Sequence, residues 1–104
     1  AAIGPYSHGV AIGDLFFTSG QIALVPETGK LVDGGIQEQT EQVLRNLEMV
    51  LSANGMTFAN VVKTTVFITD LAGFAEINRI YATRFPNDPP ARSRRTLCAS
   101  AGFL

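Results

Sequence analysis

An arginine near the carboxyl end of the sequence is the side chain best suited to hold an acidic small molecule. Arg92 follows a loop that is bounded by proline at 86 and 90. Its planar guanidinium can pair with a carboxylate through two parallel hydrogen bonds. An arginine after a loop is more commonly a solvent-exposed surface residue, so the residue type alone leaves both interpretations open.

A second polar residue stands out because it lies on the apolar face of a predicted helix. Asn78 falls between Ile77 and Tyr81 in a stripe that also contains Phe74 and Phe85. A buried amide without partners costs about 1–3 kcal/mol, so such a side chain is normally hydrogen-bonded. Asn78 is therefore expected either to hold a neighbouring loop or to point into a binding cleft.

Other kinds of chemistry are not indicated by the sequence. The acidic residues show no paired arrangement, and no cysteine or histidine spacing is typical of a metal site. There is no glycine-rich phosphate loop and no nucleophile elbow. His8 could act as a general base, but no carboxylate lies near it in the sequence, and we interpret it as a strand residue without a catalytic role. Neither a metal nor a cofactor is expected.

The composition limits the size, the partners and the location of the protein. The 104 residues suffice for a single domain, 1–104, and only 16% of them are charged, against about 25% in a typical soluble domain. Part of the surface is therefore expected to be buried in an oligomer. A net charge of −1 argues against a nucleic-acid-binding protein. No apolar run reaches the ~20 residues of a membrane span, and a cytoplasmic location is expected, with an organelle matrix as the alternative.

Short strands and two amphipathic helices are predicted to position these side chains. Strands are predicted over 6–12, 15–19, 30–32 and 61–69, and helices over 36–53 and 71–85. Gly13-Asp14 fits a two-residue hairpin turn, Asn54-Gly55 ends the first helix, and Asp70 can cap the second. The order β-β-α-β-α predicts an α+β fold with one sheet and both helices on one face. Another subunit would cover the open face.

Four short segments share their order and spacing with a known family. They are Gly4-Pro5-Tyr6-Ser7, Thr18-Ser19-Gly20-Gln21, the stretch 61–70 and Pro90-Ala91-Arg92-Ser93. Together, over about residues 1–93, they resemble the Rid (reactive intermediate deaminase) family, also called YjgF. The resemblance implies a chorismate-mutase-like fold with mixed sheets and a homotrimer with clefts between subunits. It also implies hydrolysis of 2-imino acids, such as 2-iminobutanoate and 2-iminopropanoate, to 2-keto acids and ammonia, without cofactor or metal.

The resemblance also suggests which residues form the site. Arg92 matches the arginine that binds the substrate carboxylate in the family. Tyr6 and Ser19 match positions that line the family's cleft, and they join Arg92 as predicted catalytic residues. Gly20 and Asn78 are predicted to lie at the substrate. The alternatives are that Tyr6 is a strand aromatic packed on a neighbour and that Ser19 is a turn residue.

After Ser93 the sequence departs from the family pattern. Family members continue with a cysteine or threonine, a valine-rich strand, a Leu-Pro turn and a final strand whose glutamate positions the attacking water. Here Arg94 takes the place of the cysteine or threonine, and the segment 94–104 contains neither that turn nor a glutamate. We therefore expect the final strand to be absent and 95–99 to form a short strand. A reading-frame shift or a truncation would explain the change.

Three functions follow from this comparison. The first is an imine deaminase, whose rate would suffer from the loss of a positioned acid or base by about 10²–10⁴-fold. The second is a non-catalytic metabolite-binding member that keeps the Arg92 clamp. The third, which the net charge disfavours, is a ribonuclease or translation inhibitor. The sequence does not indicate which imino acid is preferred.

Overall fold

The computed structural model describes residues 5, 7–69 and 71–96, and this part of the chain contains six strands and two α-helices. In chain order they are β1 (Gly9–Ile12), β2 (Leu15–Thr18), β3 (Leu24–Val25), β4 (Lys30–Leu31), α1 (Ile36–Ala53), β5 (Lys63–Ile68), α2 (Phe74–Ala82) and β6 (Ala91–Thr96). Single turns of 3₁₀ helix, Phe58–Asn60 and Leu71–Gly73, precede β5 and α2. The predicted α+β class with two helices and mixed sheets is confirmed.

Strands β1 and β2 form the predicted hairpin. The two-residue connection places Gly13 at a φ of +57°, a value that glycine adopts without steric penalty. The register sets Val10 opposite Phe17 and Ile12 opposite Leu15, so these four apolar side chains share one face of the ladder. The strand begins at Gly9 and not at residue 6 as predicted. Tyr6 itself lies outside the described residues.

Helix α1 has the bounds that the sequence predicts, because both of its ends carry local signals. At the start, the Glu38 carboxylate accepts a hydrogen bond of 2.9 Å from the Gly35 N–H. At the end, Gly55 has a φ of +71°, its N–H donates to the Ser52 carbonyl, and the Met56 N–H donates to the Leu51 carbonyl. These two bonds make a Schellman motif, which satisfies carbonyl groups that the helix leaves unpaired.

The short ladder β3–β4 was predicted only in part, and a buried asparagine of α1 holds it in place. The sequence indicated a strand at 30–32 but not its partner Leu24–Val25. The Nδ2 amide of Asn46 donates to the carbonyl groups of Ile22 (3.0 Å) and Leu24 (2.8 Å), and its Oδ1 accepts from Gln42 (2.9 Å). Asn46 therefore links the start of β3 and the residues just before it to α1.

The end of the described chain differs most from the sequence-based prediction. Residues Ala91–Thr96 form β6, which pairs in parallel with β5 in the register Thr64 to Arg92 and Val66 to Arg94. The loop predicted over 86–90 contains no strand or helix, but the strand predicted over 95–99 starts four residues earlier, at Ala91. A parallel pair needs a long crossover, and α2 supplies it. Residues 97–104 lie outside the described part of the chain.

Helix α2 is shorter than predicted at both ends. It begins at Phe74, after a 3₁₀ turn, and Asp70, the predicted cap, lies outside the described residues. At the other end the Thr83 hydroxyl donates to the Ile80 carbonyl and competes with the helical pattern. Pro86 then disfavours helical geometry at the residue before it. The helix accordingly ends at Ala82 and not at residue 85.

The core lies where α1, α2 and β5 meet. Its buried apolar side chains are Ala23, Leu44, Leu51, Ile68, Ile77, Ile80 and Phe85. An ion pair between Glu41 and Arg84 ties α1 to the end of α2. Among the described residues the strands form three two-stranded ladders and not the single sheet that was predicted. The hairpins pair locally, and within residues 7–69 and 71–96 no hydrogen-bonded ladder joins them to β5.

Candidate functional site

The site begins with Arg92, which strand β6 places beneath helix α2. Its guanidinium carbon lies 4.8 Å from the centroid of the Tyr81 ring and 5.2 Å from that of Phe74. A cation over an aromatic face is attracted by the electrons of the ring. No carboxylate among the described residues forms an ion pair with Arg92. The guanidinium thus lies against two rings, and no carboxylate of the described residues neutralises its charge.

The aromatic wall beside Arg92 is itself anchored. The Tyr81 hydroxyl shares a 2.7 Å hydrogen bond with the hydroxyl of Thr64, the β5 residue that stands opposite Arg92 in the ladder. The Tyr81 ring lies 4.7 Å from that of Phe85, which in turn makes an edge contact of 5.3 Å with Phe58. Strand β5, helix α2 and the loop before β6 thereby fix the orientation of the Tyr81 ring, which faces Arg92.

A cleft of about 480 Å³ opens between α2 and the loop that leads into β6. This volume is within the range of small-molecule sites. The lining residues are Asn78, Tyr81, Ala82, Phe85, Pro89, Pro90 and Arg92. The walls are mainly apolar, and Arg92 supplies the only formal charge among the side chains that line this cleft.

Asn78 lines this cleft and carries a buried acceptor atom. Its Oδ1 atom is buried and has no hydrogen-bond partner among the described residues. Such an atom loses the bonds it would make to water, at a cost of about 1–3 kcal/mol, unless a ligand supplies a donor. The wall of the cleft therefore contains Arg92, whose guanidinium can donate to an anion, and Asn78, whose buried oxygen no described residue pairs.

The structure brings together two of the predicted site residues and leaves two apart. Arg92 and Asn78 line the same cleft, whereas Ser19 and Gly20 are not among its lining residues. Ser19 follows β2, and its hydroxyl donates to the carbonyl oxygen of Ser7. Tyr6 cannot be assigned, because it lies outside the described residues.

Two aromatic residues of the cleft were missed as site residues, although the sequence carried a signal for them. Tyr81 and Phe85 follow Asn78 at three and seven positions, a helical spacing that places Tyr81 on the Asn78 face of α2 and Phe85 just beyond the end of the helix. That pattern was assigned to the core. Phe85 is indeed buried, while Tyr81 is only half-buried and faces Arg92. An aromatic stripe interrupted by an amide is the feature that could have revealed the site.

Two further properties concern the described residues alone. They contain no group of three histidine, cysteine, aspartate or glutamate side chains placed to hold a metal ion. Neither of the two described helices combines the length and the apolar character that a membrane crossing requires.

The fold and the cleft together define a small α+β protein with an arginine-bearing pocket beside its crossover helix. The family model described as Endoribonuclease L-PSP matches residues 1–97. The chain belongs to this family, also called Rid or YjgF, as the resemblance indicated.

Named relatives extend this finding. Reactive Intermediate Deaminase A, chloroplastic, of Arabidopsis thaliana is 48% identical over 99 residues, which are 95% of this chain and 53% of the relative. The 2-iminobutanoate/2-iminopropanoate deaminase of Mus musculus is 46% identical over 99 residues, covering 95% of this chain and 73% of the mouse protein. The chain thus spans only about half the length of the plant relative.

A solved structure agrees with the fold. The crystal structure of the Rid-family protein YyfA from Yersinia pestis superposes with a TM-score of 0.92 at 42% sequence identity. The alignment covers 98% of this chain and 82% of that one. At this similarity the arrangement of helices and strands described above is that of the family.

Proposed function

We propose that the protein hydrolyses small 2-imino acids to 2-keto acids and ammonia, with Arg92 binding the carboxylate of the substrate. The observation that carries the proposal is that one cleft of about 480 Å³ is lined by both Arg92 and Asn78: within the described part of the chain, no carboxylate pairs with Arg92 and no group pairs with the Asn78 Oδ1. A 2-imino acid has a carboxylate directly beside a C=N–H group, so it matches both. The names of the plant and mouse relatives support the same reaction class.

The reaction proceeds by addition of water to the imine carbon. The electron pair of the C=N double bond moves to nitrogen, which is protonated, and a carbinolamine forms. Its collapse breaks the C–N bond, releases ammonia and leaves the 2-keto acid. Arg92 fixes the carboxylate through a bidentate pair, and Asn78, once its side chain rotates to expose Oδ1 to the cleft, accepts from the substrate N–H, so the imine carbon is oriented toward the incoming water.

A neighbouring copy of the chain completes the site in this proposal. Tyr6, Ser19 and Gly20 would reach the cleft from that copy, in a homotrimer with sites between subunits. The support is the face of the β1–β2 ladder that carries Val10, Ile12, Leu15 and Phe17, because each of these side chains is between 51% and 64% exposed in one chain. An apolar face of this kind is normally covered by another surface.

Imine decay in the presence of the protein tests the reaction. 2-Iminobutanoate is generated in situ by an amino-acid oxidase, and its loss is followed with and without the protein. We expect acceleration by the protein, and Arg92→Ala to lower kcat/KM by roughly 10- to 100-fold, the effect of losing hydrogen bonds to a charged group. Arg95→Ala is the matched control, since Arg95 alternates with Arg92 to the other face of β6. Equal losses in both variants would contradict the assignment.

Two other results would point to the alternative functions. Binding of 2-ketobutyrate that depends on Arg92, without any acceleration of imine loss, would identify a metabolite-binding protein. The description of the family model makes RNA cleavage a necessary comparison. Cleavage that persists through rigorous purification and is lost in Arg92→Ala would indicate a ribonuclease.

A further inference from the structure

A second arginine lies beside the cleft on the same side of strand β6. Arg94 is two residues from Arg92, and successive side chains of a strand point to opposite faces, so Arg92 and Arg94 share a face while Ser93 and Arg95 take the other. The guanidinium carbon of Arg94 lies 4.7 Å from the centroid of the Phe74 ring, which also receives Arg92 at 5.2 Å. The Phe74 ring therefore lies close to two guanidinium groups.

This arrangement leaves positive charge without a protein counterion. Neither arginine forms an ion pair with a carboxylate of the described residues, and both are exposed in the single chain. Two like charges repel, and the attraction of one aromatic ring, about 0.5–1 kcal/mol at exposed sites, offsets this only in part. An anion with two charged groups would neutralise both arginines.

The spacing of the two arginines limits the size of such an anion. Residues two positions apart on a strand are separated by about 7 Å. Each of the two guanidinium groups would pair with the carboxylate at its own end of the ligand. A dicarboxylate of four or five carbon atoms, both carboxyl carbons included, fits between them. Neither Arg94 nor Phe74 is among the lining residues of the cleft, so Arg94 would act outside the cleft, beside the Phe74 ring that it shares with Arg92.

We propose that Arg94 binds the distal carboxylate of a 2-imino dicarboxylic acid, so that the site favours imines of four- and five-carbon amino dicarboxylic acids over monocarboxylic ones. This inference rests on the proposed function, in which Arg92 binds the carboxylate next to the imine. The reaction is unchanged: water adds to the imine carbon, the C–N bond breaks, and ammonia leaves a 2-keto dicarboxylic acid. Arg94 contributes to specificity and touches none of the reacting atoms.

The first test is equilibrium binding, which does not require catalysis. Calorimetry compares 2-ketoglutarate with 2-ketobutyrate for the unmodified chain, Arg94→Gln and Arg95→Gln. We expect the unmodified chain to prefer the dicarboxylate, and Arg94→Gln to lower the ratio of the two affinities by roughly 10- to 100-fold. Arg95→Gln removes the same charge from the opposite face and is expected to preserve the ratio.

The second test repeats the comparison with imines generated in situ from glutamate and from 2-aminobutyrate. The ratio of the two kcat/KM values should fall in Arg94→Gln in parallel with the affinity ratio. Arg94→Lys keeps the charge but not the planar fork, so its ratio should lie between those of the unmodified chain and Arg94→Gln. Such an intermediate value would show that loss of folding is not the cause.

The outcomes separate this inference from the function on which it rests. No preference for 2-ketoglutarate, or an equal fall of the ratio in Arg94→Gln and Arg95→Gln, would overturn the role of Arg94. Dicarboxylate binding that depends on Arg94 without any imine hydrolysis would keep the second subsite and reject the deaminase.

Discussion

At the scale of single residues, two asparagines of neighbouring helices make opposite contributions. Both polar atoms of the Asn46 side chain are hydrogen-bonded. Its Oδ1 accepts from Gln42, and its Nδ2 donates to the carbonyl groups of Ile22 and Leu24. Asn78 Oδ1, in contrast, is buried without a partner among the described residues. The first amide stabilises the fold, whereas the second imposes a cost. If Asn78 binds a ligand as proposed, function and stability are in conflict at this residue.

Substituting each asparagine with leucine, a side chain of similar size, measures this difference. Asn78→Leu is expected to raise the free energy of unfolding by about 1 kcal/mol, because an unpaired acceptor is removed, and to lower kcat/KM for imine hydrolysis. Asn46→Leu is expected to lower the free energy of unfolding by about 1–3 kcal/mol, because two carbonyl groups lose their donor. Urea denaturation followed by circular dichroism provides both values, and a loss of stability in Asn78→Leu would contradict this account.

At the scale of secondary-structure elements, the end of α1 depends on one backbone conformation. Gly55 has a φ of +71°, and apart from its two chain neighbours no residue has a heavy atom within 4 Å of the position that a Cβ would take. Any effect of a side chain there must therefore arise from the backbone and not from a clash.

The prediction for this position is a graded loss of stability. Gly55→Ala should lower the free energy of unfolding by about 1–2 kcal/mol, the cost of the left-handed conformation for an ordinary residue. Gly55→Asn should cost less, because asparagine tolerates this conformation better. Thermal unfolding of the two variants checks the order, and equal melting temperatures would show that the helix end has rearranged.

The same elements show how far the sequence could predict the fold and the site. Helix α1 and the turn at Gly13 carry their signals within a few residues, and both were predicted correctly. Strand β6 was not, since Ala-Arg-Ser-Arg-Arg-Thr has no apolar alternation and becomes a strand only through pairing with β5, 28 positions earlier in the register. The position of Arg92 beneath α2 depends on that pairing, so the sequence indicated the residue but not its surroundings.

At the scale of the whole molecule, the exposed face of the β1–β2 ladder is the feature that a single chain does not account for. Val10 lies opposite Phe17 and Ile12 opposite Leu15, which makes a continuous apolar surface. If this surface joins copies of the chain, Phe17→Glu should shift the protein from a trimer toward a monomer, since a charge buried in an interface without a partner is costly. The measurement is sedimentation equilibrium over a range of protein concentrations.

The control for this prediction is another exposed apolar residue. Met49 on α1 is 55% exposed, close to the 59% of Phe17, and lies outside the ladder. Met49→Glu should leave the mass of the assembly in sedimentation equilibrium unchanged. A chain that is already monomeric at high concentration would remove the basis for a site shared between subunits, and the Arg92 cleft would then have to act alone.

The parallel pairing of β5 with β6 also has a kinetic consequence. The segments that meet are far apart in the sequence, so closing this ladder requires a larger loss of chain entropy than forming the hairpin or α1. During refolding, the strand that bears Arg92 should dock after the hairpin and helix α1 have formed. In the native protein its backbone amides should exchange with deuterium faster than those of α1, and a bound 2-keto acid should slow that exchange. Binding of the ligand to the Arg92 guanidinium would then also stabilise the last strand that docks onto the fold.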